Sequence, residues 1–272
     1  MSGCWEGIAE ASRRNNSRIC VGLDVDPSRL PEPVKSETDP IFSFNRAVID
    51  ATLDLVCCYK PNIAFYEALG LAGLEALYRT IQYIGHRVPV ILDAKRGDIG
   101  NTALQYARAA FDRLGADAVT VNPYLGLDSI APFMNFAGKG IFVLCLTSNE
   151  SAKDFQLYPD EAPLCERVAA RVAEWDRGHG CLGLVVGATH AGKIGRLRKA
   201  ASGLPFLLPG IGAQGGSLDE VKEAEVPGGG LGVIVNASRS IIFAGEGKNF
   251  ADKVRAAAED LRKRVGVQDS TN

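Results

Sequence analysis

Eight short apolar runs, each followed by a stretch of helical spacing, predict an α/β fold: a closed (β/α)8 TIM barrel in a single domain. Two further observations support it. The runs are continuous rather than alternating, the pattern of strands buried on both faces of a parallel sheet covered by helices. The eight units also take up about 250 of the 272 residues, the usual extent of such a barrel. A doubly wound open sheet is the structural alternative. It normally has fewer units and a glycine-rich turn after its first strand, whereas here that turn follows the seventh. The barrel is expected over 1–265, with a frayed tail over 266–272.

Trp5 to Arg13 has the spacing of a short helix, and Arg18 to Leu23 is the first apolar strand, closing on Asp24 and Asp26. Residues 27–40 are proline-rich and polar and read as a connecting loop. Phe42 to Leu55 is helical by spacing, and the second strand, VCCYKPN, carries Lys60 near its end. A helix over Leu71–Ile84 precedes the third strand, Val88–Leu92. Gly97 and Gly100 then permit a sharp bend into a helix that reaches Leu114. The unit repeats with strand Ala118–Val121 and helix Leu127–Phe136. Strand Gly140–Leu146 ends in Thr147-Ser148-Asn149 and is followed by a polar insert, 150–163, and helix Leu164–Trp175. Strand six is Leu182–Val186 with helix Ile194–Ala201, and strand seven is Phe206–Leu208 with helix Leu218–Ala224. Leu231–Val235 is strand eight, and Phe250–Val265 is the last helix.

With 46% hydrophobic and 23% charged residues, the chain can bury a full core. Its formal net charge of −2 is dispersed, so neither a nucleic acid nor an anionic membrane is expected as a partner. The seven cysteines are odd in number, lack a CxxC pair and fall largely in apolar runs, which suits reduced, buried thiols. His86, His179 and His190 are widely separated, and their spacing assembles no zinc cluster. No segment has the make-up of a signal peptide or approaches the roughly 20 apolar residues of a membrane span, so the expected compartment is the cytoplasm.

The chemistry is concentrated in Val88 to Ala103, where the third strand runs into Asp93, Lys95 and Asp98. Asp93 and Lys95 are two apart, so on extended backbone their side chains face the same way, while Asp98 falls on the turn. The junction of strand and helix is the end at which barrels of this class build active sites. For an isolated Asp-x-Lys the plainer reading is a solvated surface pair. Against it stand the crowding of acid, base and acid behind a buried strand, and Lys60 at the end of the strand before. A lysine between two carboxylates is favoured as a cation and can donate a proton.

After strand seven, Gly210, Gly212, Gly215 and Gly216 expose backbone N–H groups, and Ser217 opens a helix. Arg239 adds a forked cation at the end of strand eight. Loops seven and eight are the usual phosphate site of this barrel class, although a simple Pro-Gly turn is the plainer reading of the glycines alone. The stretch Gly228 to Gly232 precedes strand eight and reads as a connector at the opposite end. His190 reads as a loop residue or one that supports the site from behind rather than a catalyst, and Arg96 as a surface or structural charge. Tyr124 either covers the pocket or packs under a loop.

The motifs DAKRGDIGNTA on strand three, KPN on strand two, PGIGAQGGS on strand seven and NASRS on strand eight together resemble those of the orotidine 5'-phosphate decarboxylase family. The wording LDAKRGDIGNTA and LCLTSNE is similar to its long-chain bacterial branch. The resemblance extends from about Arg18 to Ile242; the DxKxxD series alone is shared with sugar-phosphate relatives, and the AQGG loop makes the combination specific. It implies decarboxylation of orotidine 5'-phosphate to uridine 5'-phosphate and CO2 in pyrimidine nucleotide biosynthesis. It also implies no metal or organic cofactor, and a homodimer with shared sites. Carried over by position, Lys60, Asp93, Lys95 and Asp98 would form a catalytic charged array with Lys95 as proton donor. Asp24, Lys60 and Thr102 would meet the ribose hydroxyls, and Ser148 the pyrimidine amide edge. Pro209 would wall the pocket, and Gln214 and Arg239 would hold the phosphate. Asp98 and Thr102 would come from the second subunit. The 27–40 connector and the 150–163 insert depart from the family pattern, so no lid residue is carried over. Two alternatives stand beside this reading: a metal-dependent phosphosugar decarboxylase or aldolase on the same barrel, and a non-catalytic barrel that binds a nucleotide phosphate.

Overall fold

The computed structural model describes residues 3–190, 192–210, 218–226 and 231–266. Eight parallel strands form one sheet: β1 (Ile19–Gly22), β2 (Cys58–Lys60), β3 (Ile91–Arg96), β4 (Ala118–Val121), β5 (Gly140–Leu146), β6 (Leu182–Val186), β7 (Phe206–Pro209) and β8 (Val233–Ala237). Their order, β2-β1-β8-β7-β6-β5-β4-β3, runs once around a barrel. Closure comes where β2 meets β3: Tyr59 N donates to Pro89 O at 3.0 Å, and Asp93 N to Pro61 O at 2.9 Å.

Strand alternation sorts the inward side chains into two storeys. Cys20, Cys58, Ile91, Ala118, Phe142, Leu207 and Ile234 pack together inside the barrel as an apolar layer. Beneath it the Trp5 ring, 4.7 Å from that of Phe142, closes the floor. Two residues further along β2, β3, β4, β7 and β8, the inward positions are Lys60, Asp93, Thr120, Pro209 and Asn236. The polar layer therefore lies at the mouth. Outward residues such as Val21, Val119 and Val143 join Phe44, Leu77 and Phe133 in the larger core between strands and helices.

Several boundaries differ from expectation for identifiable reasons. The third strand begins at Ile91 rather than Val88, because Pro89 has no N–H to give a ladder, and it continues through the charged residues to Arg96. The eighth strand is likewise displaced toward the mouth, to Val233–Ala237. The 27–40 connector is not a plain loop. It holds a 3-10 turn, Pro27–Arg29, in which the Asp26 carboxylate accepts from Ser28 N, and a helical turn, Glu32–Lys35, with proline in its first turn where no donor is needed. A helix over Ile63–Glu67 and one over Arg239–Ile242 were not expected, being too short to show a period. The helix expected over Leu127–Phe136 is a 3-10 turn followed by Ala131–Met134, restarting at Pro132. The insert carries a short helix, Ala152–Phe155. Of the expected tail, 267–272 lie outside the described residues, as do 227–230 of the glycine-rich connector.

Candidate active site

Lys60, Asp93 and Lys95 meet at the mouth of the barrel. Lys60 Nζ donates to Asp93 Oδ2 at 2.9 Å, and Lys95 Nζ donates to Asp93 Oδ1 at 2.6 Å. Thr120 Oγ1 donates to Asp93 Oδ1 at 2.9 Å and accepts from the N–H groups of Ala94 and Lys95 at 3.0 and 2.9 Å. That uses the whole capacity of the hydroxyl and ties β3 to β4 where the array sits. Lys60 and Asp93 are 4% and 8% exposed, so the pair is out of water. Burial opposes the charge on Asp93, but Lys60 and then Lys95 outweigh it and hold the carboxyl well below the usual carboxylate range. Burial also opposes the charge on Lys60, and Asp93 followed by Asp24 outweighs it, lifting its pKa above the ordinary lysine value. Both directions keep the pair ionised at neutral pH.

Lys95 reaches Asp93 by an unexpected route. Its φ is +46°, in the left-handed region, and the pairing of β3 with β4 slips between Leu92 and Arg96. A side-chain-bearing residue there costs about 1–2 kcal/mol. The two residues therefore do not simply face the same way on extended backbone; a local kink brings the ammonium back onto the carboxylate. Asp98 is not held in this array: its Oδ1 accepts from Ile99 N at 2.8 Å. Thr102 is exposed in the first turn of helix Gly100–Arg108. Within one chain, the described residues thus give an array of Lys60, Asp93 and Lys95.

Beside the array lies a cavity of about 170 Å³ bounded by Asp24, Lys60, Asp93, Ser148, Pro209 and Arg239. Arg239 heads the short helix after β8 and is exposed at the rim. The approach of that helix depends on Gly22, since a Cβ there would lie 1.8 Å from Ser238 Oγ. Gly210 lines the same cavity, while Gly212, Gln214, Gly215, Gly216 and Ser217 lie outside the described residues. On the opposite side Ser148 is set by its neighbours. Thr147 N donates to Gln156 Oε1 at 2.7 Å, Gln156 Nε2 donates to Thr147 Oγ1 at 2.8 Å, and His190 Nε2 lies 2.8 Å from Thr147 O. Thr189 Oγ1 donates to Ser148 O at 3.4 Å, and Gly187 leaves the room that a Cβ, 2.7 Å from Ser148 N, would take away.

The geometry groups two acids, a lysine, a serine and an arginine around one small chamber, with a second lysine bonded to one of the acids, and comparison with known proteins identifies the kind of barrel. A family model described as "Orotidine 5'-phosphate decarboxylase / HUMPS family" matches residues 17–254. The chain belongs to that family. It is 49% identical over 252 residues to the orotidine 5'-phosphate decarboxylase of Herpetosiphon aurantiacus, covering 92% of each chain. With that of Roseiflexus castenholzii it shares 46% identity over 265 residues, 97% of each. The solved structure of Leishmania donovani OMP decarboxylase superposes with a TM-score of 0.83 at 36% identity, covering 97% of each chain.

Among the residues expected from this family's pattern, the structure gathers Asp24, Lys60, Asp93, Ser148, Pro209 and Arg239 around one cavity, with Lys95 bonded to Asp93. Thr120 was not anticipated. It sits in the apolar run AVTV, where a threonine reads as a β-branched packing residue, yet it lies two positions beyond Ala118 of the inner apolar layer. Counting two along each strand from that layer also finds Asn236. His190 proves to be a loop residue, as expected, with the specific partner Thr147 O. Gln156, inside the polar insert, gave no signal because its partner lies nine residues away across a loop. Thr120→Val keeps shape but removes a hydrogen bond to a buried carboxylate, a loss of roughly 1.5–3 kcal/mol. Steady-state kinetics should show kcat/KM reduced by about 10- to 100-fold; an unchanged value would mean that Asp93 is positioned without it.

Proposed function

We propose that the chain decarboxylates orotidine 5'-phosphate to uridine 5'-phosphate and CO2, a step of pyrimidine nucleotide synthesis, without metal or organic cofactor. The observation that carries this reading is the Lys60–Asp93–Lys95 array, with its Lys60–Asp93 pair buried, at one side of a polar cavity whose rim holds Arg239. Cleavage of the bond to the carboxylate leaves its electron pair on the ring carbon, where no conjugated sink receives it. Lys95 places a cation beside that carbon and then transfers its proton there. Asp93 faces the departing carboxylate. Two carboxylates about 3 Å apart repel by roughly 5 kcal/mol at an effective dielectric of ~20, and the two lysines on Asp93 reduce even that. Enzymatic barrier reductions reach ~23 kcal/mol, so electrostatic stabilisation of the carbanion by a pre-placed cation supplies most of the effect. Contacts to the distant phosphate support it by fixing the ring.

In this reading Asp24 and Lys60 take the ribose hydroxyls, Ser148 the amide edge of the pyrimidine, Pro209 one face of the ring, and Gln214 and Arg239 the phosphate. The active unit is a homodimer in which Asp98 and Thr102 come from the partner subunit. A cytoplasmic setting belongs to the proposal and is supported by seven free cysteines, six of them buried.

The test is incubation of the purified chain with orotidine 5'-phosphate and EDTA, following loss of the orotate absorbance. Turnover that survives the chelator supports the reading; turnover lost to it and restored by a divalent ion would favour metal-dependent phosphosugar chemistry. Arg239→Ala should raise KM strongly and reduce kcat/KM by about 2–4 kcal/mol, as expected for loss of a charged, forked phosphate contact. Orotidine, which lacks the phosphate, should be nearly indifferent to that change. Equal losses on both substrates would give Arg239 another role.

A further inference from the structure

The cavity contains two acceptors left unsatisfied by the described residues. Among the described residues neither Asp24 Oδ1 nor Asn236 Oδ1, both buried, has a hydrogen-bond partner, and both residues line the cavity with Lys60. Asn236 is 6% exposed, and the register of β8 sets it beside Pro209 of β7 and Cys20 of β1. Its orientation follows from alternation. Ile234, two residues earlier, packs in the inner apolar layer, so Asn236 faces the chamber directly above. Packing alone does not call for an amide there, since leucine has nearly the same shape and leaves no polar atom stranded. An orphaned acceptor in a site is instead explained by a ligand that brings the donor.

The arrangement also indicates what kind of donor. Lys60 Nζ gives one N–H to Asp93 Oδ2 and, as an ammonium, carries two more. Two acceptors beside such a cation match a ligand with two neighbouring O–H groups, each able to donate to one oxygen and to accept from the ammonium. A vicinal diol has that pattern. We propose that Asn236 is a substrate-contacting residue whose side-chain oxygen, together with Asp24 Oδ1, accepts the two hydroxyl hydrogens of a ribose diol. This rests on the reading that the cavity holds a ribonucleotide, and it adds to that reading a residue and a selectivity: the site distinguishes ribonucleotides from deoxyribonucleotides through β8 as well as through Asp24.

Asn236→Leu and Asn236→Ala test it, the second guarding against a steric clash in the first. Calorimetric titration with uridine 5'-phosphate should show binding weakened by about 5- to 30-fold in both variants, the effect of one lost hydrogen bond to a buried acceptor. Binding of either 2'-deoxyuridine or 3'-deoxyuridine 5'-phosphate should be nearly unchanged, because the hydroxyl that Asn236 serves is already missing. The melting temperature of ligand-free Asn236→Leu should hold steady or rise by about 2–4 °C, since an unsatisfied acceptor is removed. Equal losses on all three nucleotides would make Asn236 structural and overturn the inference. If the wild-type chain decarboxylates orotidine 5'-phosphate while both variants bind uridine 5'-phosphate normally, the inference falls and the proposed function stands. A wild-type chain that neither binds the one nor converts the other removes both.

Discussion

Lys95→Ala is expected to lower the rate of decarboxylation by at least about 10⁴-fold, because in the proposed mechanism one side chain supplies both the cation beside the carbanion and the proton that quenches it. The fold should survive the change. Asp93 keeps Lys60 Nζ and the Thr120 hydroxyl, so its buried carboxylate is not orphaned. Binding of uridine 5'-phosphate should stay within a few-fold of wild type, since the ribose and phosphate contacts are proposed elsewhere. Lys95→Gly provides a control on the backbone. The φ of +46° strains alanine as much as lysine but suits glycine, so the glycine variant should be more stable than the alanine variant by about 1 kcal/mol, read from urea midpoints, and equally inactive. Turnover near the wild-type rate in either variant would remove Lys95 from the mechanism. The contrasting change, Lys60→Ala, is expected to harm folding as well, because it takes away the main attraction that keeps a buried carboxylate charged.

The barrel was legible because eight doubly buried strands leave continuous apolar runs, and this signal needs only local sequence. Strands β4, β5 and β6 and the helices Leu164–Trp175 and Phe250–Val265 fall where the sequence places them. Where the chain meets the site, local reading was less exact. In β3 the apolar run ends at Leu92 but the strand does not, since Asp93 replaces water with Lys60, Lys95 and Thr120 as it enters the barrel. A polar residue with partners from other strands can occupy an inward position, and those partners lie 27 and 33 residues away in the sequence. The kink at Lys95 was equally hidden, because a positive φ at a lysine opposes its own preference and is held by the Thr120 hydroxyl on two successive N–H groups. Lys60 was found through its place at a strand end, and Asp24 and Ser148 were assigned through motif wording, whereas Thr120 and Asn236 required knowing which residues of each strand form the inner layer. That layer was in principle countable: Ala118 and Ile234 mark it, and each missed residue lies two further on.

Mixing the inactive variants Lys95→Ala and Asp98→Ala should restore activity to about a quarter of all sites, provided that Asp98 acts in the site of the partner subunit. The local geometry motivates this. In its own chain Asp98 Oδ1 accepts from Ile99 N while Lys95 bonds Asp93, so the carboxylate lies outside the array that its sequence position suggested. Ile99, beside it, is 54% exposed, and Thr102 is exposed one turn on, so a second subunit would have an apolar and a polar contact to cover. A two-fold interface makes the exchange reciprocal, each chain lending its Asp98 to the other. In a mixed dimer one site then combines both defects and the other has neither. Equal amounts with free exchange make about half the dimers mixed, and half the sites in those are intact. Were Asp98 to serve its own chain, every site in every dimer would keep one defect, and exchange could restore nothing. The measurement is decarboxylation rate against mixing ratio, with subunit exchange followed separately by native mass spectrometry of differently tagged chains. Recovery that peaks at equal amounts supports the shared site, and no recovery despite complete exchange rules it out.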